Sequence, residues 1–226
     1  MMRLIRNWRW LVLDFAYAGR VRTSAFFRRH NPFGESTGDK QPIVLIPGVY
    51  ETWQFMKPVA ARLAALGHPV HIVPALGFNR APVPDAAATV QHYIDDHDLE
   101  SVVIVAHSKG GLIAKHMMLV DDTAGRIDRI VAIATPFSGS SYSRYMPAKP
   151  LRAFIPTEVT LSMLSERLDA NSRITSVFPV FDGHIPEGSR LEGARNVEVP
   201  VRGHFRMLAD DRSLTAVVEA VESTAT

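Results

Sequence analysis

The chain has 226 residues, of which 46% are hydrophobic and none is cysteine. This size and composition suit one domain with a large core, and they exclude disulfides, thiolate catalysis and cysteine-ligated metal sites. The net charge of +2 gives no sign of nucleic-acid binding, and no run approaches the roughly 18 apolar residues that a membrane span needs.

The first 30 residues are strongly basic, since they hold seven arginines and a single acid, Asp14. Asp14 and the arginines are expected on the polar sides of an amphipathic helix. A signal peptide is disfavoured, because Asp14 and Arg20 interrupt the apolar region. Apolar residues recur at helical spacing and predict one apolar face, made of Leu4, Ile5, Trp8, Leu11, Val12 and Phe15.

Three interpretations of this basic helix stay open. A basic amphipathic helix with a tryptophan is typical of one that lies on a membrane surface. The same pattern suits a helix that packs against its own domain, and an arginine-rich arm is also typical of mitochondrial targeting. We expect a cytoplasmic protein, with peripheral membrane contact through residues 1–30 under the first interpretation. Deletion of that arm is then expected to release the protein from lipid vesicles without harming the activity of the body.

The remainder of the chain alternates strands with helices. Residues 31–40 are rich in Gly, Pro, Ser and charge, which predicts that an arm and linker, 1–40, precede one domain, 41–226. Helices are expected over 52–66, over 85–97 with Asp85 as N-cap, after Ser108, and at the C-terminal end. This alternation predicts an α/β fold, with a mostly parallel sheet of about six strands and helices on both faces. Apolar runs predict the strands over 43–46, 70–73, 102–105, 129–134, 174–181 and 196–201.

The most informative residue is Ser108, which stands where the buried strand 102–105 turns abruptly into a helix. Ala106 and Gly110, two residues before and after the serine, are small, as so sharp a turn requires. The turn strains the serine backbone and pushes its hydroxyl clear of both elements, where it can act as a nucleophile. An inert serine in a buried strand-to-helix turn is the alternative.

An activated serine needs a histidine to take its proton and a carboxylate to orient that histidine. Asp182 directly follows the strand 174–181, and His204 follows the strand 196–201 in a loop before the last helix. Asp169 and Glu187 are rival acids, and Asp182 can also be interpreted as an ordinary turn residue. The histidine before the nucleophile, His107, is expected to support the turn from below.

Five segments, in this order, resemble the α/β-hydrolase family and its lipase and esterase members. They are 47–50 (PGVY), 106–111 (AHSKGG), 135–140 (TPFSGS), 182–186 (DGHIP) and 203–208 (GHFRML). Ala106 departs from the usual glycine, and Pro47 stands where many relatives have a histidine. The resemblance covers residues 41–223 and implies the α/β-hydrolase fold, with a small lid inserted at about 136–173. The apolar residues of that lid either line an acyl groove or cover the core.

The resemblance also implies the site and its chemistry. Ser108, Asp182 and His204 would form the triad, without a metal or an organic cofactor. The backbone N–H groups of Val49 and Lys109 would form the oxyanion hole, with Tyr50 as the alternative to Val49. The Lys109 side chain itself is expected at the surface, because the residue stands at the start of a surface helix. Candidate substrate contacts are Tyr50 and Phe137.

The implied function is that of a small, triacylglycerol-lipase-like serine hydrolase. It would cleave carboxylic esters, an esterase or lipase activity, through an acyl-enzyme, with a small-molecule or lipid ester as substrate. An acyltransferase or thioesterase with the same triad is an alternative. A non-catalytic lipid- or membrane-binding module on the same fold is another.

Overall fold

Six strands form one sheet in which every strand runs parallel to its neighbours, in the order β2-β1-β3-β4-β5-β6. The computed structural model describes residues 2–27, 38–145 and 148–223, so most of the predicted linker, 31–37, lies outside the described residues. The prediction of a mostly parallel sheet of about six strands is confirmed. The strands are β1 Ile43–Ile46, β2 Val70–Ile72, β3 Val102–His107, β4 Ile127–Ile133, β5 Ile174–Phe181 and β6 Arg195–Arg202.

The central strands β1 and β3 are buried along their whole length, because helices cover both faces of the sheet. This burial explains their continuous β-branched and aliphatic sequences. On one face α3, α4 and α5 pack against the sheet; on the other lie α2, α6 and part of α1. The helices are α1 Met2–Phe27, α2 Lys57–Ala64, α3 Val83–Asp96, α4 Lys109–His116, α5 Val159–Glu166 and α6 Asp211–Glu222.

The strand order creates a switch point between β1 and β3. From β1 the chain moves outward to β2 at the sheet edge, and it then returns to add β3 on the other side. Ligands of open α/β sheets bind outside the carboxyl ends of the strands at such a point. Ile46 pairs with Ala106, so the loop after β1 lies beside the turn that carries Ser108.

Two helix starts differ from the prediction. The helix expected over 52–66 begins as the 3-10 turn Trp53–Met56 and becomes α-helical at Lys57. α3 starts at Val83, so Asp85 lies in its first turn and is not the N-cap. Pro84 accounts for the earlier start, because its missing N–H would have no intrahelical partner in the first turn.

The N-terminal helix α1 packs against the body mostly through residues outside the predicted apolar face, although Leu11 of that face lies against Gly183. Ala18 and Val21 pack on the core beneath the sheet, whereas Trp8 and Phe15 are 63% and 60% exposed. Asp14, expected on a polar side, is 0% exposed. Among the described helices, none combines the length and apolarity that a membrane crossing requires.

The segment predicted as a lid, 136–173, contains short 3-10 turns and α5. Phe154, Leu161 and Leu164 are buried in the cluster that also contains α3 and α4. These side chains therefore cover the core, which was one of the two predicted roles. Movement of this segment over the site stays a prediction.

Candidate active site

Ser108 occupies a strained turn between β3 and α4. Its φ of 52° and ψ of −120° are rare for a residue other than glycine. A side chain at Gly110 would clash with the carbonyl of Ile46, and one at Gly111 would clash with Thr135. The two glycines therefore let α4 start directly against β1 and the loop after β4, which leaves Ser108 at the turn.

His204 and Asp182 form a hydrogen-bonded pair at the ends of neighbouring strands. Phe181 pairs with Arg202, so the two residues leave the sheet side by side, and His204 Nδ1 lies 2.7 Å from Asp182 Oδ2. Burial raises the pKa of Asp182, but His204 and the N–H of His184 outweigh this, and the net pKa is lowered. Asp182 is thus held as a carboxylate.

The two rival acids have other partners. Asp169 forms an ion pair with Arg167, with Nη2 and Oδ2 2.9 Å apart. Glu187 accepts the N–H of Ser141 at 2.9 Å. Of the three candidate acids, Asp182 is the one whose side chain contacts His204 within the described part of the chain.

His107 links the turn to the loop that carries His204. The side chain is fully buried, its Nδ1 lies 2.8 and 2.9 Å from the two carboxylate oxygens of Glu51, and its Nε2 lies 3.3 Å from the carbonyl oxygen of His204. The two imidazole rings are 4.7 Å apart. Burial lowers the pKa of His107, but the charge and hydrogen bond of Glu51 outweigh this and raise it. A protonated His107 donates from both nitrogens.

The backbone N–H groups near Ser108 differ in what they donate to. Gly48 donates to Glu51 Oε2 at 2.9 Å, and Tyr50 donates to the carbonyl of Phe78 at 2.8 Å. Within the described residues, no acceptor takes the N–H of Val49. Lys109 is the first residue of α4, so its N–H has no intrahelical acceptor. Val49 and Lys109 therefore keep the free donors that an oxyanion hole needs.

The Lys109 side chain is buried, and the prediction that it lies at the surface is wrong. Its Nζ donates to Asn79, 3.1 Å from the carbonyl oxygen and 3.2 Å from Oδ1, and also to the carbonyl of Ala81. Asn79 in turn donates to the carbonyl of Pro47 at 2.7 Å. Burial lowers the pKa of Lys109 to about 8. The lysine thus connects α4 to the loop after β1.

A cavity of about 840 Å³ opens beside the loop after β1, and Pro47 and Tyr50 line it. Most of its other lining residues are apolar, and none of the described ones is acidic. The guanidinium of Arg80 lies 5.4 Å from the ring centre of Tyr50 and holds this ring at the cavity. Phe137 is buried in the core beside α3 and α4, and its role in substrate contact stays a prediction.

Three buried acceptors or donors near the triad were missed by sequence reasoning: Asp14, Glu51 and Asn79. The available signal for Asp14 was its isolation as the only acid among the first 30 residues. Glu51 and Asn79 lie in loops and carry no such signal. Across the described residues, no group of three or more histidines, cysteines and acids is arranged to hold a metal ion.

Comparisons with known proteins agree with this architecture. Residues 83–146, which include Ser108 and the strands around it, match the PGAP1-like alpha/beta domain family. No curated protein matches the sequence. Among solved structures, the lipase BlEst2 of Bacillus licheniformis in its propeptide form superposes with a TM-score of 0.66 and 12% identity, over 85% of this chain and 52% of that one.

This chain covers nearly the whole length of two further solved structures. An extracellular α/β-hydrolase from a Paenibacillus species has a TM-score of 0.56 and 18% identity, over 80% of this chain and 98% of that one. A metagenome-derived lipolytic enzyme, from work on LipS and LipT, has a TM-score of 0.59 and 14% identity, over 83% and 96%. At these identities the likeness establishes the fold: the chain has the α/β-hydrolase fold.

Proposed function

We propose that this chain, an α/β hydrolase by its fold, is a serine hydrolase that cleaves carboxylic esters. One observation carries the proposal. The strained Ser108 lies at the switch point of the sheet, and the residue before it contacts His204, which is paired with the buried carboxylate of Asp182. A nucleophile, a base and an orienting acid at the carboxyl ends of three parallel strands suit acyl transfer.

The proposed reaction proceeds through an acyl-enzyme. His204 Nε2 takes the proton of Ser108 as the serine oxygen attacks the ester carbonyl, and it then gives that proton to the leaving alcohol. Asp182 holds Nδ1 and stabilises the imidazolium. The N–H groups of Val49 and Lys109 donate to the oxyanion. Water, activated by His204, then releases the carboxylic acid and restores the serine.

The cavity beside Tyr50 supports an ester with an apolar acyl chain. Aromatic and aliphatic side chains dominate its lining, including Trp53, Phe55 and Phe78. Apolar surface buried from water contributes about 25 cal/mol per Å² to binding, so a longer acyl chain is expected to bind more tightly until the cavity is filled. An acyltransferase or a thioesterase would use the same acyl-enzyme with another acceptor or leaving group.

The exposed face of α1 supports a peripheral contact with an anionic membrane surface. Trp8, Val12 and Phe15 are more than half exposed. The same 30 residues hold seven arginines, and their single acid is Asp14, whose carboxylate is buried. An exposed apolar face in a segment with seven arginines and no exposed acid is suited to lipid headgroups and the acyl region beneath them.

Labelling with a fluorophosphonate tests the proposal. Native protein and Ser108→Ala are exposed to the probe, and both are then assayed with p-nitrophenyl esters of increasing acyl length. We expect labelling and hydrolysis in the native protein and neither in Ser108→Ala, with the fold unchanged by circular dichroism. Labelling retained in Ser108→Ala would remove Ser108 as the nucleophile. A folded native protein that neither labels nor hydrolyses any ester would favour the lipid-binding module.

A further inference from the structure

We infer that Asp14, on the N-terminal helix, is a positioning residue for His204, an inference that rests on the proposed role of His204 as the base. The Asp14 carboxylate is fully buried. Its Oδ2 accepts the N–H of His204 at 2.9 Å, and its Oδ1 accepts the N–H groups of Phe205 and Arg206 at 2.9 and 3.0 Å. Three consecutive backbone donors thus converge on one carboxylate from a segment 190 positions away.

The loop approaches Asp14 so closely that it has room only for a glycine before His204. Gly203 has a φ of 116°, and a Cβ at this position would lie 2.6 Å from Asp14 Oδ1. On the neighbouring loop, a side chain at Gly183 would clash with Leu11 of the same helix. α1 therefore packs directly against both loops that carry the His204–Asp182 pair.

Three different elements hold His204. Asp182, after β5, holds the ring at Nδ1, and His107, at the end of β3, holds the backbone carbonyl. Asp14 of α1 holds the backbone N–H. The first two contacts come from the sheet itself, whereas the third depends on α1 lying in place. Detachment of α1 would release the backbone N–H of His204 and make the position of its Nε2 relative to Ser108 less well defined.

The charge of Asp14 also acts on this site. Burial raises the pKa of Asp14, but the contact with His184, the backbone N–H groups of Arg206 and His204 and the charge of His204 outweigh this, and the net pKa is lowered. His184 Nε2 lies 3.2 Å from Asp14 Oδ2, and its ring lies 5.2 Å from that of His204. Burial and, after it, the charges of Glu51 and Asp14 raise the pKa of Tyr17 on the same helix to about 12. A buried carboxylate here favours the imidazolium that forms when His204 takes a proton.

The substitution Asp14→Asn tests the inference at nearly constant volume. The amide oxygen can still accept from Phe205 and Arg206, but the amide NH₂ replaces the oxygen that accepts from His204. Because a misplaced catalytic group costs about 10²-fold, we expect kcat to fall by one to two orders of magnitude with KM little changed.

The matched control is Leu13→Gln, which changes the neighbouring, 48% exposed residue of the same helix. It should leave kcat and KM unchanged in soluble assays. A folded Asp14→Asn protein with native kcat would overturn the inference. A fall that Leu13→Gln reproduces would also overturn it, because the effect would then belong to the helix in general.

Hydrogen exchange on the native protein tests the same contact without any variant. The amides of His204, Phe205 and Arg206 should be protected and should exchange at the opening free energy of α1, because both open together. Exchange at the rate of a free loop would overturn the inference. This result does not depend on catalysis: if the native protein fails to react with fluorophosphonate, the proposed function fails, while the exchange data still decide whether Asp14 holds the loop.

The role inferred for Asp14 reverses the effect expected from deletion of residues 1–30. If Asp14 positions His204, a protein that lacks residues 1–30 loses hydrolysis of soluble esters as well as membrane contact. In that case Asp14 is the residue through which α1 supports the loop that carries His204.

Discussion

The buried ammonium of Lys109 donates to Asn79, with Nζ 3.2 Å from Oδ1 and 3.1 Å from the backbone oxygen. This contact ties the helix after the nucleophile to the loop around Ala81, and Asn79 passes the connection to Pro47. The Asn79 side chain therefore joins the two segments that carry the proposed oxyanion donors, Val49 and Lys109. We therefore expect Lys109 to act on the proposed oxyanion hole through its ammonium as well as its backbone N–H.

Replacement of Lys109 by methionine keeps its backbone N–H and removes the ammonium. We expect kcat/KM to fall by about tenfold. Complete loss of one oxyanion donor lowers kcat by about 10²–10³-fold, and a misplaced donor should have a smaller effect. Lys57→Met, at the exposed start of α2, is the control and should retain native kinetics. Native activity in Lys109→Met would show that the loop after β1 keeps its place without the lysine.

The same lysine predicts how stability depends on pH. Burial lowers the pKa of Lys109 from 10.5 to about 8, so between these values the unfolded chain binds the proton and the folded chain does not. Stability rises with pH wherever the unfolded state binds more protons. Urea unfolding from pH 7 to 10 should therefore show the free energy of unfolding of the native protein rising relative to that of Lys109→Met. A constant difference would contradict the lowered pKa.

Substitution of Asp182 and of Asp169 tests which of these two aspartates is the orienting acid. Asp182→Asn should lower kcat by about 10⁴-fold, because an amide at this position favours the wrong tautomer of the histidine. Asp169→Asn removes an exposed ion pair with Arg167 and should leave kcat unchanged, since surface substitutions have small effects. Steady-state kinetics on both folded variants give the comparison. A mild effect of Asp182→Asn would move the role of the orienting acid elsewhere.

The pair of Glu51 and His107 should contribute to stability as a buried ion pair. Both side chains are almost fully buried, so Glu51→Gln should lower the free energy of unfolding by about 3–5 kcal/mol by leaving the charged partner without a counter-ion. In a double-mutant cycle, His107→Asn added to Glu51→Gln should cost much less than it does alone. Additive losses, measured by urea unfolding, would show that the pair is not coupled.

The pH dependence of this pair has the opposite sign to that of Lys109. The pKa of His107 is raised above 6.5 in the folded protein, so its stabilisation is complete below that pH and is lost as pH rises through the folded pKa. The stability difference between native protein and Glu51→Gln should therefore shrink from pH 6 towards alkaline pH. A difference that stays constant over this range would mean that His107 is neutral when folded.

The exposed face of α1 predicts binding to anionic vesicles. A fully buried apolar side chain contributes about 1.5–3 kcal/mol, so Trp8→Ser with Val12→Ser should weaken cosedimentation with phosphatidylserine-containing vesicles by more than about tenfold. Leu66→Ser, at an exposed apolar residue of the body, should have no effect. Binding of the native protein should be weaker to pure phosphatidylcholine and at high salt. Equal binding by the double variant would leave this face without a role at membranes.

Local sequence was sufficient for much of the fold and for the chain order of the proposed triad. The run Ile43–Ile46 predicted β1 to the residue, since a strand buried on both faces must be apolar throughout. The small residues around Ser108 predicted the strained turn, because steric limits there act over a few positions. Asp182 and His204 followed from their places after two strands, and the parallel sheet then brought them together.

Helix boundaries and the packing face of α1 were harder to predict from the sequence. A 3.6-residue period shows that α1 is amphipathic, but two faces of this helix carry apolar residues, and the period does not say which one meets the body. Trp8 and Phe15 remained exposed, and Asp14 was buried instead. Three backbone N–H groups of a distant loop offset the cost of burying its charge, and no local pattern near Asp14 contains them.

The sequence by itself determined the strands, the strained serine and the chain order of the proposed nucleophile, acid and base, because these depend on neighbours a few residues apart. Only the tertiary structure decided that Lys109 is buried against Asn79, that Glu51 pairs with His107, and that Asp14 holds the backbone of His204. These contacts join loops and helices that are distant along the chain. Burying each charge costs free energy, and the donors or acceptors that offset this cost come together when the chain folds.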